Sequence, residues 1–137
     1  MKFPVIPADR EIFETELATY WWSDDNYLVS LSKNVLRTVD NLKSNSEVIQ
    51  KITNNKPVPL LIYLTDSPIP GKEAREISTL LLPINYSVMA MVSKRGLGAF
   101  IMKLLFSLKK SPIPLKAFTD EHDAKAWLLS KIQIKSM

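Results

Sequence analysis

The 137-residue chain contains no cysteine, which excludes disulfides, thiolate metal sites and cysteine nucleophiles. Its single histidine, His122, excludes paired-histidine zinc motifs and argues against a Ser-His-Asp triad. No run of about 18 apolar residues is present to span a bilayer. The first seven residues, Met1-Lys2-Phe3-Pro4-Val5-Ile6-Pro7, are too short and too broken by proline to form a signal-peptide apolar region. A soluble, cytoplasmic protein is the expectation. Phosphate-binding loop strings are missing too: neither G-x-x-x-x-G-K-[ST] nor G-x-G-x-x-G occurs. No paired carboxylates stand at an acid/base spacing, so no catalytic residue and no cofactor or metal site is assigned, and a non-enzymatic protein is expected.

What is present is ordinary globular composition, 46% hydrophobic and 23% charged, at a length that suits one domain with one substantial core. The net charge of +4 is unevenly placed. Residues 1–93 carry 9 Lys/Arg against 11 Asp/Glu, and residues 94–137 carry 9 against 3. A basic C-terminal third could meet an anionic partner. However, no aromatic residues interleave with the lysines as a nucleic-acid platform needs, so the charge is read as a solvating face and no nucleic-acid partner is expected.

Beyond an irregular lead-in over 1–15, the apolar pattern resolves into elements. Residues 16–22 and 27–32 read as strands, joined by Ser23-Asp24-Asp25-Asn26, whose side chains close turns and tolerate left-handed backbone. Val35, Val39, Leu42 and Ile49 share one face of a helix over 38–53, stopped by Asn54-Asn55-Lys56-Pro57. The continuous apolar run over 58–64 suggests a strand covered on both faces. A turn over 65–71 leads to a helix over 72–82 with Ala74, Ile77 and Leu81 buried, which Pro83 is expected to close. A strand over 87–93, a helix over 97–108 and a strand over 115–118 follow. Thr119 and Asp120 then cap a final helix whose inner face is Ala124, Trp127, Leu128 and Ile132. The order ββαβαβαβα predicts an α/β domain spanning 1–137, with a mixed, mostly parallel five-stranded sheet and an N-terminal antiparallel hairpin.

The hairpin Tyr20 to Leu31, the string Lys72-Glu73-Ala74-Arg75-Glu76, and the ending Pro114 to Asp120 with Ala124-Lys125-Ala126-Trp127-Leu128 resemble small, single-domain bacterial proteins of the SpoIIAA-like (STAS-like) fold, in an uncharacterised branch. The resemblance covers roughly 16–132. It implies the same fold and a regulatory, partner-binding role. The anti-anti-sigma members carry a phosphorylated serine in an Asp-Ser-Ser-Gly-like string. Here the corresponding stretch is Asp66-Ser67-Pro68-Ile69-Pro70-Gly71, with one serine, followed by proline. The related lipid-binding CRAL-TRIO domains are much larger, and no room for a full lipid tunnel is expected.

Two loops precede helices and could receive an anionic or apolar ligand. One carries Ser67, Gly71 and Arg75, the other Ser93, Arg95 and Gly96. Free backbone N–H groups at helix starts bind phosphate or carboxylate, and open α/β sheets bind ligands beyond the strands' carboxyl ends. The alternative is a proline-stiffened connection in which Gly71 supplies an unusual backbone angle and Arg75 pairs with Glu73 or Glu76.

The helix over 97–108 gives a third candidate. At 100° per residue, Leu97, Phe100, Ile101, Leu104, Leu105 and Leu108 form a stripe expected to face the sheet. Ala99, Met102 and Phe106 fall opposite, between Lys103, Lys109 and Lys110. A Met and a Phe on a basic outer face need cover, from another part of the chain, a second copy, a ligand or a membrane surface. The leading expectation is a regulatory or protein-interaction module, homodimeric through Ala99, Met102, Lys103 and Phe106; a small-ligand binder is the alternative.

Overall fold

The computed structural model describes residues 3–106 and 110–136. One six-stranded sheet runs in sequence order: β1 (Phe13–Glu14), β2 (Ala18–Trp22), β3 (Leu28–Ser32), β4 (Val58–Tyr63), β5 (Tyr86–Val92) and β6 (Leu115–Phe118). The first three strands are antiparallel and the rest parallel. The hairpin and all five expected strands are present. The sixth, β1, lies in the stretch expected to be irregular. Two residues carry no readable alternation, and they pair only because Phe13 and Glu14 fall opposite Tyr20 and Thr19.

Four helices cover the sheet: α1 (Val39–Ile52), α2 (Lys72–Asn85), α3 (Leu97–Phe106) and α4 (Glu121–Ser136). Each crossover from β3 to β6 steps in the same direction, and right-handed crossovers stepping one way place their helices on one face. So α1, α2 and α3 share a face. After β6 no strand remains to be crossed to, and α4 packs on the opposite face, against β4 and β5.

Strand alternation divides the core accordingly. Leu28, Leu60, Met89 and Met91 face the three helices. Trp21, Val29, Leu61, Tyr63 and Val92 face α4, where Ala124 and Leu128 are fully buried. Trp21 and Trp22 point to opposite faces. A register shift opposite Val58/Pro59 changes the parity of β5, so Tyr86 and Met89 face the same side.

Local chemistry sets the ends of the elements. Asn26, Asn54 and Asn55 take positive φ at the hairpin turn and after α1, positions that asparagine tolerates. Thr38 and Asn41 form a reciprocal cap on α1. The Asp120 carboxylate accepts from the His122 N–H at the start of α4. Pro83 does not close α2, which runs on to Asn85. A proline in the last turn forfeits one ladder bond, while continuing the helix buries Asn85. The Asn85 side-chain oxygen accepts from the Ser46 hydroxyl at 3.1 Å, locking α2 to α1.

The rotation of α3 differs from expectation. A Cβ on Gly98 would lie 2.6 Å from the Ala117 Cβ, so the helix approaches β6 closely at that point. This closeness turns the face carrying Gly98, Met102, Leu105 and Phe106 toward the sheet. Phe106 is 7% exposed and belongs to the core, whereas Phe100 is 46% exposed. Helical periodicity marked the wider apolar stripe, but steric access at Gly98 selects the other side. Leu108 lies outside the described residues.

Gly98→Val is expected to force α3 off β6 and destabilise the domain by about 1–3 kcal/mol, the usual cost of overpacking. Urea titration measures it, and adding Ala117→Gly to Gly98→Val is expected to recover part of the loss. No loss in the single variant would mean that α3 is not held by this contact.

Candidate functional site

The face under α1, α2 and α3 is not completely filled. A half-open cavity of about 250 Å³ lies between the sheet and these helices. Its floor includes Ile62, Met89 and Met91, and its helical wall includes Leu81, Leu97 and Ile101. The loop Thr65–Pro70 forms the rest of the rim. Ile69 and Phe100, both exposed, stand at its opening. Most of the lining surface is apolar, interrupted by polar side chains that include Ser30, Asn45, Ser67 and Asn85, a make-up compatible with a small-ligand pocket.

Of the expected loop residues, only Ser67 reaches this space. Its hydroxyl accepts from Arg37 Nη1 at 3.0 Å, donates to the Lys33 carbonyl at 3.2 Å and lies 3.1 Å from the Thr65 hydroxyl. Gly71 is the N-cap of α2 at φ −66, an ordinary extended conformation, so it supplies no unusual angle. Arg75 does not pair with Glu73 or Glu76: its Nη1 donates to the Pro70 carbonyl at 2.8 Å, stiffening the rim.

The second loop has its own construction. Ser93 is buried, and its hydroxyl accepts from the Gly98 N–H at 3.1 Å while donating to the Lys94 carbonyl. It therefore takes up a donor that an incoming anion would need. Gly96 has φ +88, which glycine adopts at no steric cost. Arg95 is exposed. Lys94 meets Asp66 at 2.8 Å, tying this loop to the first. The structure thus separates the two groups of loop residues, with Ser67 in the cavity wall and Ser93 at the helix start.

The proposed contact helix divides likewise. Ala99 and Lys103 remain exposed, Met102 is half-buried in the cavity wall, and Phe106 is core. The Met102 and Phe106 pair is covered within the chain. Phe106 as a contact residue is corrected on the geometry of Gly98 given above.

The residue missed from sequence is Arg37. Its half-buried guanidinium donates from Nη1 to the Lys33 and Val35 carbonyls at 2.8 and 2.7 Å, and from Nη2 to the Leu17 carbonyl at 3.2 Å. Burial pulls its pKa down. A lone arginine before a helix carries no motif, and only the folded chain brings it beside Ser67, thirty positions away.

Tyr20 and Tyr86 also line the cavity. Tyr20 lies within hydrogen-bond distance of Asn45, 2.9 Å from its side-chain nitrogen. Burial pushes the pKa of both phenols up, that of Tyr86 further. Each is favoured neutral in the fold, so its contribution is intact below the unfolded value of about 10 and is lost as pH rises past it. Among the described residues no cluster of His, Asp and Glu could hold a metal ion, and no helix is long and apolar enough to cross a membrane.

Alkaline denaturation is expected to steepen above about pH 10. Tyr20→Phe should reduce that steepness when stability is measured by urea at pH 8 and at pH 11. An unchanged slope would show that Tyr20 does not carry this dependence.

Against known proteins, residues 20–132 match the family described as Domain of unknown function (DUF7793). The chain belongs to that family. No curated protein matches it. Among solved structures it is similar to the crystal structure of an uncharacterised protein of the DUF3478 family, with a SpoIIAA-like fold, from Shewanella loihica PV-4. The identity is 17%, the match covers 91% of this chain and 99% of the other, and the TM-score is 0.59. The fold is therefore SpoIIAA-like.

Proposed function

We propose that this DUF7793 domain is a non-enzymatic, cytoplasmic module that binds a small, largely apolar molecule between its sheet and helices α2 and α3. The observation that carries this reading is the half-open apolar cavity of about 250 Å³. Covering apolar surface is worth roughly 25 cal/mol per Å² removed from water, so an apolar occupant gains by burying these walls. The position agrees with a ligand seated beyond the carboxyl ends of parallel strands, since the rim follows β4 directly. A ligand that fills the cavity touches α2, α3 and the Thr65–Pro70 loop together, which gives a regulatory output a physical route to the surface.

Met89, Met91 and Met102 line the cavity and report on it directly. With carbon-13-labelled methionine methyls, 1-decanol is expected to shift these three signals. Ser78→Phe, which places a ring in the cavity, should abolish the shifts and keep the fold. Unmoved methyl signals at saturating decanol would remove the reading.

A second reading rests on a different surface. Leu80 and Ile84, one turn apart on α2, are 64% and 50% exposed. Exposed apolar residues grouped in this way mark contact sites, in keeping with a homodimer or a regulatory protein partner. Native mass spectrometry is expected to show a dimer that Leu80→Asp reduces to monomer. A monomer in the unmodified protein would exclude self-association.

A further inference from the structure

Arg37 is the one charged side chain in the cavity wall, and no carboxylate lines that wall among the described residues. Its ion pairing is equally bare: none of the ion pairs among the described residues includes it. A half-buried cation held only by neutral acceptors is incompletely compensated. The three carbonyls and Ser67 occupy Nη1 and one Nη2 hydrogen. A guanidinium offers five N–H donors, so the Nε–H and one Nη2–H remain unused. No buried side-chain nitrogen lacks a partner among the described residues, so the unused Nε is not sealed inside the protein. The Nε–H shares one edge of the planar guanidinium with an Nη2–H, a fork whose geometry suits the two oxygens of a carboxylate.

The geometry points to a monocarboxylate with an apolar tail as the ligand class, its carboxylate on Arg37 beside Ser67 and its tail over Ile62, Met89 and Met91. This inference rests on the cavity being a ligand site, and it adds the head group. Arg37 and Ser67 are fixed to each other at 3.0 Å, while apolar side chains dominate the remaining lining. Guanidinium stays protonated at neutral pH despite burial, so the charge is present whenever a carboxylate arrives. The cavity lies just below the range of about 300–1,000 Å³ usual for drug-sized ligands, which favours a single medium-length chain or an aryl-alkyl acid over a diacyl lipid.

Three probes of one chain length separate the claims: decanoate, 1-decanol and decylamine, each titrated calorimetrically into the purified domain at pH 7.5. Decanoate is expected to bind at least tenfold more tightly than decanol, and decylamine more weakly than decanol. Arg37→Gln should bring decanoate down to the level of decanol while leaving decanol within about twofold of its original affinity. Ser67→Ala should weaken decanoate threefold or more. Equal binding of decanoate and decanol would overturn the head-group assignment and leave the apolar cavity standing. Binding of none of the three would overturn both. A decanoate preference that survives Arg37→Gln would place the carboxylate elsewhere and so overturn it. Should Arg37→Gln fail to fold by circular dichroism, the three-probe comparison on the unmodified domain together with Ser67→Ala decides the matter.

Discussion

The missing side chain at Gly98 fixes how α3 sits on the sheet. Close approach to Ala117 sets α3 by its narrow side, with Met102 and Phe106 inward. The broader stripe of Leu97, Ile101 and Leu104 is then displaced from the sheet into the wall of the cavity. The floor is made of Met89 and Met91, unbranched side chains that adapt to irregular space. Close packing at one glycine and the cavity beside the same helix are thus parts of one arrangement.

The same face carries three helices because every crossover steps in one direction, while α4 alone serves the other. The two faces are correspondingly unlike. Under α4, Ala124 and Leu128 sit against Leu61, Val88 and Val92 with essentially no exposure. Under the three helices, polar residues such as Ser30, Asn45 and Asn85 share the interior with the apolar ones. Those groups are held in pairs, such as Ser46 with Asn85 and Asn45 with Tyr20, since unpaired buried polar groups are costly. One face is therefore closely packed, and the other encloses the cavity.

The order of elements, β1 apart, was legible from local signals: the apolar run of β4, the alternating hairpin, and the Ala124 and Leu128 spacing in α4 behind its cap. The SpoIIAA-like fold was a resemblance carried by the hairpin, the 72–76 string and the C-terminal strand and helix, and the likeness to a solved structure shows it. The end of α2 was not legible, because Pro83 is a local signal and the burial of Asn85 a distant one. Nor was the rotation of α3, since periodicity ranks faces by hydrophobicity and is blind to how closely a glycine lets backbones approach. Ser67 was recognisable from its loop. Arg37 was not: its three carbonyl partners and Ser67 come from β3's exit, the β1–β2 turn and the rim, segments that only the fold brings together.

The sheet's margins have a consequence for how such a domain coexists with other copies at high concentration. Its outermost strands are two and four residues long. The longer margin follows Pro112 and Pro114 and carries an exposed Lys116. Neither offers enough unpaired backbone to template another chain's strand, and proline and lysine discourage it further. Uncontrolled edge-to-edge growth between copies is thereby suppressed.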